Sequence, residues 1–325
     1  MKLESIGFYT MEDARARNTS EFSPLHRCEL LLTSKCNFNC TYCRKRNTPD
    51  IDLEKAKKVV DFWADQGLKN IRFSGGEPTI WSDLVELVSH TTKKESIKRV
   101  ALSTNGSADK NLYKQLLESG VNDFSISLDS CCSSTADRMS GVKKWDHVVK
   151  MIEYLSRFTY VTVGTVLLEE NVDELQKTIE FAINLGARDI RIISAAQWNR
   201  PLNWELSDLQ KRQYPILAYR LNNIQSCRNV RGIKETDNHY CPLVLDDMAI
   251  EGDYHYPCII YLRERGKPIG RIDGFGSEIR RERSEWYRSH NCFEDPICRN
   301  NCLDVCIDYN NKVRELQNDS ENPSE

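Results

Sequence analysis

No apolar run in this chain approaches the ~18 residues that a membrane-spanning helix needs, and the opening residues Met1–Tyr9 lack a signal-peptide core. Nothing therefore routes the chain to a membrane or an oxidising compartment, and a cytoplasmic protein is expected. Excess positive charge is also missing. The net charge of −3 gives no global electrostatic case for nucleic-acid binding, so any such case must rest on local patches. There is no low-complexity segment, and no internal repeat beyond an alternation of strand and helix. With 325 residues, 40% of them apolar, the chain can build one large domain and a small one.

Cysteine, by contrast, is plentiful. Thirteen cysteines without an oxidising compartment are better explained by metal or cluster ligation than by disulfides. Three of them, Cys36-x3-Cys40-x2-Cys43, follow the apolar run Glu29–Thr33. Three thiolates on one short loop can hold three irons of a [4Fe–4S] cube and leave the fourth open to a chelating small molecule. A zinc knuckle or chance clustering is the alternative, but a zinc site wants a fourth Cys or His close by and none follows.

Strand-like apolar runs recur at Cys28–Thr33, Asn70–Phe73, Arg99–Ser103, Asp123–Leu128, Tyr160–Leu167 and Asp189–Ile193. Helical patterns lie between them at Leu53–Gln66, Asp83–Thr92, Lys110–Ser119, Asp146–Arg157 and Asp173–Leu185. This alternation predicts an α/β fold with a parallel sheet and right-handed helical crossovers, curled into a barrel or part of one. In such folds chemistry sits at the carboxyl ends of the strands. Cys36–Cys43, Ser74–Pro78, Ser103–Asn105, Ser127, Asp129 and Ser194 all fall there. Beyond these, Trp198–Pro201 with Asn203 and Trp204 reads as a loop. Leu209–Asn223 reads as a helix that Pro215 would kink or start late, and Arg228–Gly232 as a turn.

Ser74-Gly75-Gly76-Glu77-Pro78, taken with Cys36, Cys40 and Cys43, resembles the radical S-adenosylmethionine (radical SAM) enzymes. The resemblance extends to Ser103-Thr-Asn-Gly106 and Ser127-Leu-Asp129 and covers roughly residues 26 to 200. It implies a partial (β/α)6 TIM-like barrel. It also implies a [4Fe–4S] cluster on Cys36, Cys40 and Cys43, with S-adenosylmethionine (SAM) on the open iron. In that family, reductive cleavage of SAM gives a 5′-deoxyadenosyl radical that abstracts a hydrogen atom from substrate. A low-potential electron donor such as flavodoxin or ferredoxin is then implied. Phe38 would shield the cluster and Tyr42 would lie near the adenine. Gly75 and Gly76 would permit close backbone approach, and Glu77 would meet the SAM amino group. Ser103, Asn105, Ser127 and Asp129 would hydrogen-bond the ribose or the carboxylate, although all four are also good turn residues. Arg138 would neutralise the SAM carboxylate, or be a solvated arginine at a helix end.

The C-terminal cysteines resemble the SPASM/twitch extension of many radical SAM enzymes, which holds auxiliary iron–sulfur clusters. Cys241, Gly252 and Cys258 are close to its first half, and Cys292-x5-Cys298-x3-Cys302 matches its second, with Cys306 following closely. Ser289 stands where a further cysteine would precede Cys292, and the gap from Gly252 to Cys258 is one residue longer than usual. Six ligands allow one complete auxiliary cluster, or two with open irons; a structural zinc site is the alternative. The expected extents are an N-terminal extension 1–25, a barrel 26–200, a connecting segment 201–235, a small cysteine-rich auxiliary-cluster domain 236–312 and a disordered tail 313–325.

Adjacent Cys131 and Cys132 follow a strand end, where a thiol can return a hydrogen atom to a substrate radical; two bland small residues are the alternative. Cys28 reads as core. Arg280, Arg281, Arg283 and Arg288 flank Trp286 and Tyr287, a basic-aromatic pattern that can meet phosphate and base, but Glu282 and Glu285 dilute it. The expected function is SAM-dependent rearrangement, epimerisation or oxidation of a small molecule, a peptide or protein side chain, or a nucleoside. A hypermodified DNA base is a further substrate reading, and a non-catalytic iron–sulfur or zinc protein the rival from another class.

Overall fold

Strand β1 (Arg27–Thr33) shows how the sheet is assembled. Cys28, Leu30 and Leu32 are fully buried in the main apolar core, while the alternate residues Arg27 and Glu29 turn to the other face. The computed structural model describes residues 12–195, 202, 204–273 and 276–321. The same alternation runs through β2 (Asn70–Gly75), β3 (Arg99–Thr104), β4 (Asp123–Ser127), β5 (Tyr160–Leu167) and β6 (Asp189–Ser194). Each strand pairs in parallel with its predecessor. One face carries Ile71, Phe73, Val100, Leu102, Phe124, Ile126, Val161, Val163, Ile190 and Ile192 into the core.

Helices cover that apolar face. A short α1 (Asp13–Asn18) precedes β1. Then come α2 (Leu53–Asp65), α3 (Leu84–Thr91), α4 (Lys110–Glu118), α5 (Ser133–Ser140), α6 (Trp145–Ser156) and α7 (Leu175–Asn184). Asp52 and Asp109 start α2 and α4 by accepting from the backbone N–H of Lys55 and Leu112. Ala56, Val59, Val60 and Trp63 of α2, and Tyr113 and Leu116 of α4, form the buried stripes that hold these helices on the sheet.

All six strands and five helices expected from the sequence are present to within one or two residues. Helix α5 is additional. The helix expected over Leu209–Asn223 is two, α8 (Asp208–Gln213) and α9 (Pro215–Gln225). Pro215 has no N–H to continue α8 but suits the first position of α9. The buried Asp189 carboxylate then accepts from the next two N–H groups, of Ile216 and Leu217, at 2.9 and 3.1 Å. The Arg228–Gly232 turn carries one bridge, Arg231 with Leu303. Residues 1–11, the Trp198–Pro201 loop with Asn203, and residues 322–325 lie outside the described residues.

Two features go beyond the sequence pattern. The sheet does not stop at six strands: β7 (Asp247–Glu251) pairs in parallel with β1, and β8 (Tyr254–Tyr256) and β9 (Gly270–Arg271) follow antiparallel. The order is β6-β5-β4-β3-β2-β1-β7-β8-β9, so the sheet stays open, with β1 near its middle. The cysteine-rich segment thus shares the main sheet. Its helices are α10 (Ile259–Arg263), α11 (Gly276–Ser289), α12 (Pro296–Asn301) and α13 (Asp304–Glu321). The expected disordered tail is the second difference. α13 runs through 313 to Glu321, because Val313 is buried in a small apolar cluster with Tyr309 and with Ala16 of α1. Among the described residues no helix is long and apolar enough to cross a membrane.

Candidate functional site

At the carboxyl end of β1 the chain enters the loop bearing Cys36, Cys40 and Cys43. Its backbone is pinned to the end of α5: Asn39 N–H donates to Ser140 O at 2.9 Å and Thr41 N–H to Met139 O at 3.0 Å. Gly141, which ends α5 at φ 71°, allows this approach, since a Cβ there would lie 2.8 Å from Asn39 O. Cys36 and Cys43 are exposed and Cys40 is half-buried. Burial pushes the Cys40 thiol up to about 11, so a metal is needed to hold it as thiolate. Phe38 packs its ring against the main core beneath the loop. Three cysteines with no protein counter-ligand among the described residues, on a loop whose neighbouring residues hold it in place, suit an iron–sulfur cube.

The two glycines serve the same loop. A Cβ on Gly75 would stand 2.2 Å from Thr33 O, and one on Gly76 would stand 2.1 Å from Lys35 O. Gly76 N–H donates to Thr33 O at 2.7 Å and Glu77 N–H to Lys35 O at 2.8 Å. The close approach that glycine permits is therefore to the chain's own segment 33–35, which delivers Cys36. Glu77 is fully buried. Its Oε1 accepts from Thr79 N–H (3.1 Å), Thr79 Oγ1 (2.7 Å) and Thr104 Oγ1 (2.7 Å), and its Oε2 from Asn105 N–H (2.6 Å). This carboxylate knots the ends of β2 and β3 together. The Asn105 side chain turns to the cluster loop, donating to Asn37 Oδ1 at 2.8 Å and lying 3.8 Å from Cys36 Sγ.

Tyr42 donates its hydroxyl to Asp129 Oδ2 at 2.6 Å, while Asp129 Oδ1 accepts from Val166 N–H at 2.9 Å. Burial raises the Asp129 carboxyl to about 6 despite these bonds. A carboxyl whose folded pKa exceeds its unfolded value stabilises the fold at low pH, and that contribution is lost as pH rises through the folded pKa. Between pH 5 and 7 the metal-free wild type should thus lose about 1 kcal/mol relative to Asp129→Asn. Urea unfolding of both proteins at the two pH values checks this; parallel pH profiles would refute it.

The remaining expected residues are scattered. Ser127 is exposed at the end of β4. Ser103 accepts from Arg72 Nη1 at 2.8 Å. Arg138 is exposed and pairs with Glu170 at 3.1 Å. Cys131 N–H donates to Thr178 Oγ1, and Cys132 precedes α5 with its sulfur 3.1 Å from Ser134 Oγ. The hydrogen bond from Ser134, followed by backbone N–H groups at the start of α5, lowers the Cys132 thiol. The cluster loop is pinned to the opposite end of that eight-residue helix, about 12 Å away.

The sheet face opposite the main core is strongly polar, a feature the strand pattern could have revealed as charged residues at every second position. Arg27 pairs with Glu29 and Asp247, Ser74 donates to Glu29, and Arg72 reaches Ser103 and Asp123. Arg191 of β6 is different. Its Nη2 donates to Ser125 Oγ at 2.8 Å, its Nε has no partner, and among the described residues it forms no ion pair. Burial, and then the positive charge of Arg72, Arg27 and Arg220, pushes it down to about 9.

All six C-terminal cysteines, Cys241, Cys258, Cys292, Cys298, Cys302 and Cys306, line one apolar cavity with Pro257, Tyr261 and Trp286. Cys258 begins α10 with its sulfur accepting from Tyr261 N–H, and Asn310 donates to Cys241 Sγ at 3.4 Å. Burial drives the Cys258 thiol well above its ordinary range, and its bonds to Cys241 and Cys298 do the same for Cys292. Six convergent soft donors shielded from water suit an iron–sulfur cluster. Sequence reasoning passed over His290, whose donor nitrogen, with Cys292 and Cys298, forms a group within 4.8 Å of one another. The basic-aromatic stretch is spent partly within the protein. Arg280 donates to carbonyls of Leu245 and Glu21, Arg288 pairs with Glu21, Arg281 with Glu285, and Arg283 is fully buried. Arg280 and Arg283 are thus engaged within the protein, while Arg281 and Arg288 stay exposed in surface ion pairs.

Residues 30–182 match the family model of the Radical SAM superfamily. The GTP 3',8-cyclase of Clostridium perfringens (strain 13 / Type A) is 28% identical over 222 residues, 62% of this chain and 68% of that protein. The GTP 3',8-cyclase of Vibrio vulnificus (strain YJ016) is 31% identical over 157 residues, 45% of this chain and 47% of that protein, so the match spans about half of its length. Among solved structures, Streptococcus suis SuiB bound to S-adenosylmethionine has a TM-score of 0.59 at 17% identity, covering 85% of this chain and 67% of that one. Native anSMEcpe with bound AdoMet has a TM-score of 0.60 at 16% identity, covering 90% and 95%.

Proposed function

Because this chain is a radical SAM enzyme whose radical SAM domain spans residues 30–182, we propose that its substrate is an anionic small molecule of the nucleotide class. When bound, the iron–sulfur cluster and S-adenosylmethionine supply a hydrogen-abstracting 5′-deoxyadenosyl group. Cys36, Cys40 and Cys43 hold that cluster, and Asn39 and Thr41 fix their loop on α5. Glu77 keeps the ends of β2 and β3 in register beside it.

Arg191 carries the substrate reading. A half-buried guanidinium with a free Nε and no carboxylate partner among the described residues is a poor structural element, but a ready hydrogen-bond donor to a phosphate group. Arg72 stands on the same polar face, held by Ser103 and Asp123. The curated relatives support the same class, since GTP is a nucleotide. SuiB has been solved with its precursor peptide SuiA, but the likeness to it, at 15% identity, is one of fold.

Equilibrium dialysis of the anaerobic protein against purine and pyrimidine nucleoside triphosphates, diphosphates and free nucleosides tests the proposal. At least one phosphorylated form should bind, and Arg191→Met should weaken it about 10–100-fold, the worth of a charge-assisted hydrogen bond. A peptide that stimulates 5′-deoxyadenosine release while no nucleotide binds would overturn the reading. So would equal affinity of wild type and Arg191→Met.

A further inference from the structure

Arg283 of α11 is fully exposed to neither water nor a carboxylate: it is wholly buried and, among the described residues, forms no ion pair. Each of its donors ends on a neutral acceptor. Nε donates to Val244 O at 2.9 Å, Nη2 to Asp247 O and Pro257 O at 2.5 and 3.3 Å, and Nη1 to Tyr256 O at 3.0 Å. Nη1 also donates to His255 Nδ1 at 3.2 Å. His255 is itself fully buried, and burial, followed by the charge of Arg283, lowers it to about 3, so it is a neutral ring. With Nδ1 accepting, its proton sits on Nε2 and is donated to Glu282 at 3.0 Å. A carboxylate is hydrogen-bonded only across an imidazole, the Asp247 side chain, already paired with Arg27, acts through space alone, and the guanidinium has no ion-pair partner among the described residues.

An isolated buried cation is costly unless something nearby needs it. The thing nearby is the cysteine cavity. Arg283 grips the carbonyls of Tyr256 and Pro257, the two residues before Cys258, and both Pro257 and Cys258 line the cavity. Three residues along the same helical face, Trp286 forms another part of that wall. We infer that Arg283 is the counter-charge of an auxiliary iron–sulfur cluster in this cavity, a fixed positive charge one residue behind its Cys258 ligand that raises the cluster's reduction potential. The inference rests on the reading that the six cysteines hold such a cluster. A thiolate-ligated cluster is anionic, and reduction adds one more negative charge. In a dry interior a nearby cation therefore favours the reduced form with little screening.

The test uses the full chain with Cys36, Cys40 and Cys43 all replaced by alanine, so that remaining iron belongs to the auxiliary site. Its potential is read by anaerobic titration followed by electron paramagnetic resonance. At the wild-type midpoint, Arg283→Met should lower the ratio of reduced to oxidised cluster about tenfold, about 59 mV for a one-electron couple. Arg283→Lys keeps the charge but not the fork of hydrogen bonds, and should stay close to wild type. A purely structural brace would make Lys and Met shift alike, and that result, or an unmoved Met variant, overturns the inference. If Arg283→Met does not assemble, Glu282→Gln decides. Removing the far carboxylate should raise the reduced fraction, and no change would overturn the inference. An absence of iron in the parent triple variant would instead sink the cluster reading itself, a result distinct from iron present with an unmoved potential.

Discussion

Anaerobically reconstituted Cys40→Ala protein is expected to hold about four fewer iron atoms per chain than wild type and to release no 5′-deoxyadenosine with dithionite and S-adenosylmethionine. The effect should be this large because the loop has no spare ligand. Cys36, Cys40 and Cys43 are its three thiols, and neighbouring Asn39 and Thr41 are tied to α5 through backbone groups that alanine leaves intact. Lost iron would therefore report a lost ligand rather than a lost loop. Iron at the auxiliary cavity should persist, since its six cysteines lie in a separate wall formed around α10, α12 and α13. Cys227→Ser, at an exposed cysteine outside both groups, is the control and should change neither quantity. Full iron and full SAM cleavage in Cys40→Ala would remove this loop from the chemistry. Zinc in place of iron in the wild type would remove the radical reading altogether.

Gly76→Ala should destabilise the protein by about 3 kcal/mol or more and deplete the same iron. The added Cβ would meet Lys35 O at 2.1 Å and Ser34 O at 2.7 Å, and both obstacles are backbone atoms that no rotamer change can move. Relief requires segment 33–35 to swing away, which breaks Gly76 N–H to Thr33 O and Glu77 N–H to Lys35 O. The segment that moves is the one leading into Cys36. Stability and iron content should fall together in urea unfolding and iron assay. A variant within about 0.5 kcal/mol of wild type, the usual effect of a neutral surface change, with full iron would refute the tight closure of β1 on β2.

The strands were legible because each combines β-branched or aromatic residues with a turn at its carboxyl end. Asn70–Phe73 followed by Ser74-Gly75-Gly76 is the clearest case. Strand β7 was not, since Asp247-Met-Ala-Ile-Glu251 has charges at both ends and its partner β1 is far away in sequence. Helix α5 was hidden by its composition, Ser-Ser-Thr-Ala-Asp-Arg-Met-Ser, in which three serines and a threonine read as loop. Among site residues, a cysteine spacing announces a candidate ligand, and the six C-terminal cysteines do line one cavity. Motif position alone says less about a side chain's partners. Glu77 spends its carboxylate on Thr79, Thr104 and Asn105, and Arg138 points to Glu170. Arg191 gave no motif and Arg283 only a place in the basic-aromatic stretch, because what distinguishes them is a missing ion-pair partner, which exists only once the chain is folded.

The place of β1 between β2 and β7 has a consequence for how the chain reaches this state. As the polypeptide emerges from the ribosome, the βα alternation can assemble from β1 to β6 strand by strand through near neighbours. One edge of β1 must wait, because Arg27 and its partner Asp247 are 220 positions apart. Closing so long a loop is slow, and an unpaired parallel edge is a template for wrong partners in the interval. The cysteine-rich segment thus supplies the last three strands of the sheet as well as the cysteine-lined cavity. A nascent chain cut off near residue 235 would expose the β1 edge, and would leave Leu31 without Ala249 and Leu262, which bury it in the finished protein.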